Sequence, residues 1–266
     1  SAVKRAVDDG VMSSLNSAAE VELAEQLVAL HPWADKCRLL RTGGEANAQA
    51  VRIARATTGK NRIAICGYHG WHDWYLAANL NSDTALDGHL LPGLDPAGVP
   101  VQMRGTTEAF QFNDERSLAR ILDDGDVAAV VMEIERNLIP TTQFLEAVRE
   151  LCSKHGALLI VDECTSGFRQ EFGGRHLAYG LSPDIALFGK ALGNGYAITA
   201  VIGSEEAMYG AQSSFMSSTF WSERLGPVAA LATLRRMDES KSWIQNTETG
   251  RRVKSSWKDI LGSHGF

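Results

Sequence analysis

Two apolar runs in this chain end in groups that could do chemistry. Ala157-Leu158-Leu159-Ile160-Val161 runs into Asp162-Glu163, and Ile185-Ala186-Leu187-Phe188 runs into Gly189-Lys190. Runs of this length, rich in Ile, Val and Leu and without polar alternation, predict strands buried on both faces of a parallel sheet. Open α/β sheets bind their ligands at the carboxyl ends of the strands. An acid and an amine are therefore delivered to one place. A lysine among apolar neighbours can lose its proton and condense with an aldehyde, and a carboxylate on a second strand can keep a pyridine nitrogen protonated. Together they describe a site for pyridoxal phosphate (PLP), with the pyridinium as electron sink. The same two residues also read as a strand-end cap and a solvated turn, and by themselves they leave both readings open.

Other stretches add polar groups. Arg41-Thr42-Gly43-Gly44-Glu45 precedes a predicted helix, and a glycine pair before a helix leaves backbone N–H groups free for a phosphate, or simply makes a turn. Gly67-Tyr68-His69-Gly70-Trp71-His72-Asp73 follows a predicted strand. His69 and His72, three apart, have no third firm ligand beside them even with Asp73 adjacent, which argues against a metal site, and Tyr68 offers a flat π face. Glu133 ends another apolar run, and Thr219 lies in the polar and aromatic stretch Ser213 to Trp221.

The ordered series Asp162-Glu163-Cys164-Thr165-Ser166-Gly167-Phe168-Arg169, then Pro183-Asp184, then Gly189-Lys190-Ala191-Leu192-Gly193-Asn194-Gly195 resembles the core signature of the class III PLP-dependent aminotransferases. Within that family it is most similar to the glutamate-1-semialdehyde 2,1-aminomutase-like group. The resemblance implies that Asp162 pairs with the pyridine nitrogen and that Lys190 carries the cofactor as an internal aldimine. It makes Thr42-Gly43-Gly44-Glu45-Ala46 the phosphate loop, with Gly44 standing where a hydroxyl residue is usual. It gives Tyr68 the ring-stacking role and puts Glu133 beside the cofactor, with Ile134 where Pro is common. Thr219 would reach the phosphate of a neighbouring subunit, so the active site would be shared across a homodimer. The implied activity is amino-group transfer between small-molecule donors and acceptors, as a transaminase or an aminomutase. Racemisation or decarboxylation on the same scaffold, and a non-catalytic cofactor-binding remnant, are the alternatives. Arg41, Arg136 and Arg169 are each able to grip a substrate carboxylate or to make structural ion pairs.

The elements that must position these groups follow from periodicity. Residues 18–30 predict an amphipathic helix with Val21, Leu23, Ala24, Leu27, Val28 and Leu30 inward. Residues 37–40 and 62–66 predict strands, and 46–56 a helix with Ala50, Val51, Ile53 and Ala54 inward. Residues 79–113 predict a long loop with one short strand. A helix over 114–122 capped by Asn113 or Asp114, a strand over 127–132 and a helix over 143–155 follow. Beyond Lys190 come a returning strand at 198–203, a helix through Leu225 to Leu234 and another over 240–261. The expected fold is α/β, the fold type I large domain of PLP-dependent transferases, with a mostly parallel sheet and helices on both faces. Residues 1–266 are read as one PLP-binding large domain, without the family's N-terminal arm and C-terminal small domain.

With 266 residues, 44% hydrophobic and 22% charged, the composition is that of a globular domain with a sizeable core. A net charge of −6 disfavours nucleic acid and anionic membrane as partners. Neither GxGxxG after a strand nor GxxxxGK[ST] is present, which disfavours a nucleotide-binding protein. Four cysteines with no CxxC pair suit a reducing cytoplasm.

Overall fold

The computed structural model describes residues 2–12, 14–89 and 91–264. Seven strands form one sheet: β1 (Lys36–Leu40), β2 (Arg62–Cys66), β3 (Thr107–Ala109), β4 (Val127–Glu133), β5 (Leu158–Glu163), β6 (Ile185–Phe188) and β7 (Thr199–Gly203). Their order is β1-β7-β6-β5-β4-β2-β3. β3, β2, β4, β5 and β6 pair in parallel. β7 runs against both of its neighbours. The fold is thus the expected α/β one, with a single reversed strand near one edge.

The apolar runs become inner strands because helices cover both faces, so each position meets carbon on whichever side it points. Every residue of β4 is buried. On one face α3 (Gly43–Thr58) sets Ala46, Ala50, Ile53 and Ala54 against Ile63, Ile65, Val131, Ile160 and Leu187. On the other, α5 (Glu115–Asp123) and α6 (Thr142–His155) pack Leu118, Leu122, Phe144, Leu145 and Val148 onto Ala64, Val130, Met132, Leu159 and Val161. Further along that face α2 (Ala18–Leu30) and α9 (Leu225–Ser240) cover Ala186, Phe188, Ala200 and Ile202. Short helices fill the gaps: α1 (Ala2–Asp8), α4 (Asp73–Leu76), α7 (Arg175–Ala178) and α8 (Gly210–Ser213), while α10 (Ser242–Ser263) buries none of its residues.

Two local differences have clear causes. α3 begins at Gly43, three residues before the predicted start. Thr42 Oγ1 accepts the Glu45 N–H at 3.3 Å, and the Glu45 carboxylate accepts the Thr42 N–H at 3.0 Å. This reciprocal capping box draws both glycines into the first turn despite their poor helix propensity. Val21, expected inward, is 52% exposed, because Leu23 and Leu27 set the buried face of α2. The α5 cap is Asp114, whose Oδ1 accepts from Arg116 and Ser117 N–H groups, both at 3.1 Å. The segment 79–113 is largely irregular, with β3 and the short helical turns Ala77–Leu80 and Val101–Met103.

No described helix is long and apolar enough to cross a membrane. Ile160 is fully buried between β5 and α3. Ile160→Ala should lower unfolding stability by about 2–5 kcal/mol, read as a shift in the urea midpoint at constant slope. A loss below about 1 kcal/mol would show that this face is not close-packed.

Candidate active site

Successive side chains on a strand point to opposite faces, and this separates the two acids that end β5. Asp162 shares the face of Ile160 and looks toward α3, whereas Glu163 shares the face of Leu159 and Val161. Asp162 lies opposite Leu187 of β6 in the ladder, so Lys190, three residues further on, emerges beside it. Both line a cavity of about 570 Å³.

Asp162 is buried, and its carboxylate accepts three hydrogen bonds, leaving acceptor capacity on Oδ1. Oδ2 accepts from Asn47 Nδ2 at 2.8 Å and from His69 Nδ1 at 2.9 Å, and Oδ1 accepts the Cys164 N–H at 2.9 Å. Burial opposes ionisation here. The hydrogen bonds and charge of His69, the Cys164 amide and Asn47 outweigh it and hold the carboxyl below its ordinary range. Asn47 sits one turn into α3, aligned with Gly43, whose carbonyl it also meets at 3.0 Å. His69 and Asn47 are therefore site residues by contact, although neither had a functional role from the sequence. An Asn among the alanines of the second turn of α3 was the available signal.

Lys190 opens a short helical turn at φ 41°. The left-handed region costs a residue with a Cβ roughly 1–2 kcal/mol, so the surrounding turn holds it there. Its Nζ donates to Thr165 Oγ1 at 2.8 Å. Lys190 is exposed to the cavity and meets a hydroxyl, because the loop after β5 turns Thr165 toward it.

Gly43, Gly44 and Glu45 line the same cavity from the start of α3. The Glu45 carboxylate is occupied by its capping role, accepting the N–H groups of Arg41 and Thr42. Tyr68 also lines the cavity; its ring meets Tyr75 edge-on at 5.8 Å, and the Arg136 guanidinium lies 5.7 Å from its centre. Glu133 is buried and borders a separate cavity of about 60 Å³. It accepts the Tyr68 N–H at 3.0 Å and pairs with Arg136 at 3.1 Å, so it fixes the backbone that carries the ring. Burial raises its carboxyl above the ordinary value, against the opposing pull of His69, the Tyr68 amide and Arg136. Thr219 is exposed in the turn Thr219–Ser222 and does not line this chain's cavity.

The three arginines separate by their contacts. Arg41 is structural: it donates to the carbonyls of Trp221 and Glu223 at 3.1 and 2.6 Å and pairs with the Glu223 carboxylate. Arg169 is exposed and off the cavity. Arg136 donates to Thr165 Oγ1 at 3.3 Å, the same oxygen that Lys190 contacts. On the far face Glu163 accepts from His176 Nδ1 at 2.8 Å, and Trp33 donates to His176 Nε2 at 3.1 Å. That network ties the end of β5 to the segment after α2.

Fold and geometry together define an α/β domain that gathers an ionised aspartate, a reachable lysine, an aromatic ring and a helix start at the carboxyl ends of its strands. The aminotransferase class-III family model matches residues 1–264. The chain belongs to that family. It is 34% identical over 268 residues to the 3-aminobutyryl-CoA aminotransferase of Cloacimonas acidaminovorans (strain Evry), covering 96% of this chain and 60% of that protein. It is 35% identical over 268 residues to the glutamate-1-semialdehyde 2,1-aminomutase of Methanothrix thermoacetophila, covering 97% and 61%. A solved transaminase with PLP bound superposes with a TM-score of 0.87 at 28% identity, over 100% of this chain and 64% of that one. The chain thus spans about three fifths of the length of these curated relatives.

The depressed Asp162 carboxyl makes a pH prediction. An aspartate in the unfolded chain titrates near about 3.9, above the folded value. The stability it contributes is therefore complete above that pH and is lost as pH falls through the lower, folded-state pKa. The difference in unfolding free energy between wild type and Asp162→Asn should be flat from about pH 5 to 7 and change in the direction of wild-type loss below about pH 4. A wild-type advantage that grew on acidification would show a carboxyl held protonated instead.

Proposed function

We propose that this chain binds PLP and serves amino-group transfer, as a transaminase or a 2,1-aminomutase. The observation that carries this is Asp162, kept ionised by His69, Asn47 and the Cys164 amide in the same cavity as Lys190. The donor set fits the cofactor. An ionised, buried carboxylate suits a protonated pyridine nitrogen, the Tyr68 ring suits a flat heterocycle, and the N–H groups at the start of α3 suit a phosphate. When bound, PLP supplies an aldehyde for amines and an electron-accepting ring.

The chain's own residues do the rest. Lys190 offers the amine that anchors the cofactor and, once released by an incoming amino substrate, a base that moves a proton at the substrate carbon. Thr165 holds that Nζ in place, and Glu133 holds the Tyr68 backbone. Transfer to a second substrate makes a transaminase, and return to the neighbouring carbon of the same substrate makes an aminomutase. Relatives of both names support this pair of outcomes.

A homodimer with a shared site is part of the same reading. Its support is that Phe215 and Phe220 are 86% and 62% exposed around Thr219, and that Trp71 at the cavity is 72% exposed. The reading's other partners are small-molecule amines and carbonyl compounds. A reducing, cytoplasmic setting is supported by four cysteines that are all free, with burial pushing the thiols of Cys66 and Cys152 up to about 12.

The test is the absorbance of the purified chain with PLP before and after borohydride, followed by peptide mapping. Wild type should gain a band in the visible or near-ultraviolet that borohydride fixes covalently on Lys190, and Lys190→Ala should lose it while keeping its fold. Fixation on another lysine, or none, overturns the assignment.

A further inference from the structure

The first turn of α3 has a donor inventory that can be closed. Thr42 takes the N–H of Glu45 through its hydroxyl and that of Ala46 through its carbonyl. This leaves the N–H groups of Gly43 and Gly44 for whatever the cavity holds, and neither glycine brings a side chain. The space beside Gly44 is nevertheless full. A Cβ at position 44 would lie 2.5 Å from Cε1 and 2.7 Å from Nδ1 of His72. The imidazole of His72, from the loop after β2, occupies the volume that a side chain at 44 would use. It lines the same cavity. The indole of Trp71 stacks on it at 4.9 Å and 25°, and its Nδ1 is buried without a hydrogen-bond partner among the described residues.

We infer that His72 is an anion-binding residue of this cavity: its imidazole stands in for the missing side chain at position 44 and donates, beside the Gly43 and Gly44 amides, to the phosphate of the cofactor. The inference rests on the proposed function, since PLP is the ligand named there. Its physical content is local. An oxyanion at a helix start is favoured by free N–H groups and the helix dipole, and one further N–H donor to a charged oxygen adds a charge-assisted bond. Glu45 does not oppose this, because its carboxylate is turned into the cap. The arrangement also explains the glycine. With His72 in place no larger residue fits at 44 unless the imidazole moves, and Trp71 packs against that movement.

The experiment compares equilibrium binding of PLP and of pyridoxal, which lacks the phosphate, by quenching of tryptophan fluorescence in wild type, His72→Ala, His72→Gln, Gly44→Ser and the Gly44→Ser/His72→Ala double variant. His72→Ala should weaken PLP roughly tenfold to a hundredfold, the loss expected of one hydrogen bond to a charged group, with pyridoxal binding unchanged. Unchanged pyridoxal affinity also reports an intact fold. His72→Gln keeps an N–H donor and should recover part of the loss. Gly44→Ser alone should weaken PLP because the hydroxyl and the imidazole compete for one space. The double variant, with that space cleared, should bind PLP more tightly than His72→Ala. If His72→Ala leaves the PLP-to-pyridoxal ratio unchanged while borohydride still fixes PLP on Lys190, the role of His72 is overturned and the cofactor reading stands. If wild type binds neither compound, the cofactor reading falls and this inference falls with it.

Discussion

The site depends on one buried negative charge. Placing a carboxylate between a sheet and its covering helix is costly, and a buried charge left without partners destabilises a fold by several kcal/mol. Asp162 avoids that because three donors from three separate segments converge on it: Asn47 from α3, His69 from the loop after β2 and the Cys164 amide from its own strand end. None of the three is near the others in sequence except through the sheet. The charge is therefore compensated inside the protein only when β2, β5 and α3 are docked.

The same economy runs through the rest of the cavity. Glu133, opposite Asp162 in the β4–β5 ladder, spends its oxygens on the Tyr68 amide and Arg136, and so positions an aromatic ring. Thr165 accepts from both Arg136 and Lys190, linking the two cations through one hydroxyl. Glu45 closes the capping box that brings two glycines into α3. Each group at the cavity is held by a second one whose role is geometric, which is how a site reaches useful precision. Lys190 takes a left-handed backbone at the end of β6, where its side chain lines the cavity.

Much of this was legible from residue order. The inner strands announced themselves because strands covered on both faces need carbon at every position, and the apolar runs ending in Asp162, Glu133 and Phe188 have it. The family signature around Asp162 and Lys190 was equally plain. What periodicity missed was set by capping bonds and by packing. The start of α3 moved by three residues because a Thr-x-x-Glu capping box outweighs two glycines, and the outward turn of Val21 followed from which leucines reach the sheet first.

The sequence by itself determined the class of fold, the strand ends that carry the acid and the amine, and membership of a family that is recognised by a long ordered motif, because these depend on local composition and spacing. Tertiary structure alone decided which polar residues serve the site. Asn47, His69 and Thr165 lie in or beside stretches that stood out in the sequence, but nothing local to them says which group each one meets. They became partners of Asp162 and Lys190 because parallel strands bring segments 25 to 115 residues apart to one edge of the sheet. Arg41 was separated from Arg136 in the same way: both are arginines beside a motif, and only the packed chain shows that one clamps the loop at Glu223 while the other stands at Tyr68.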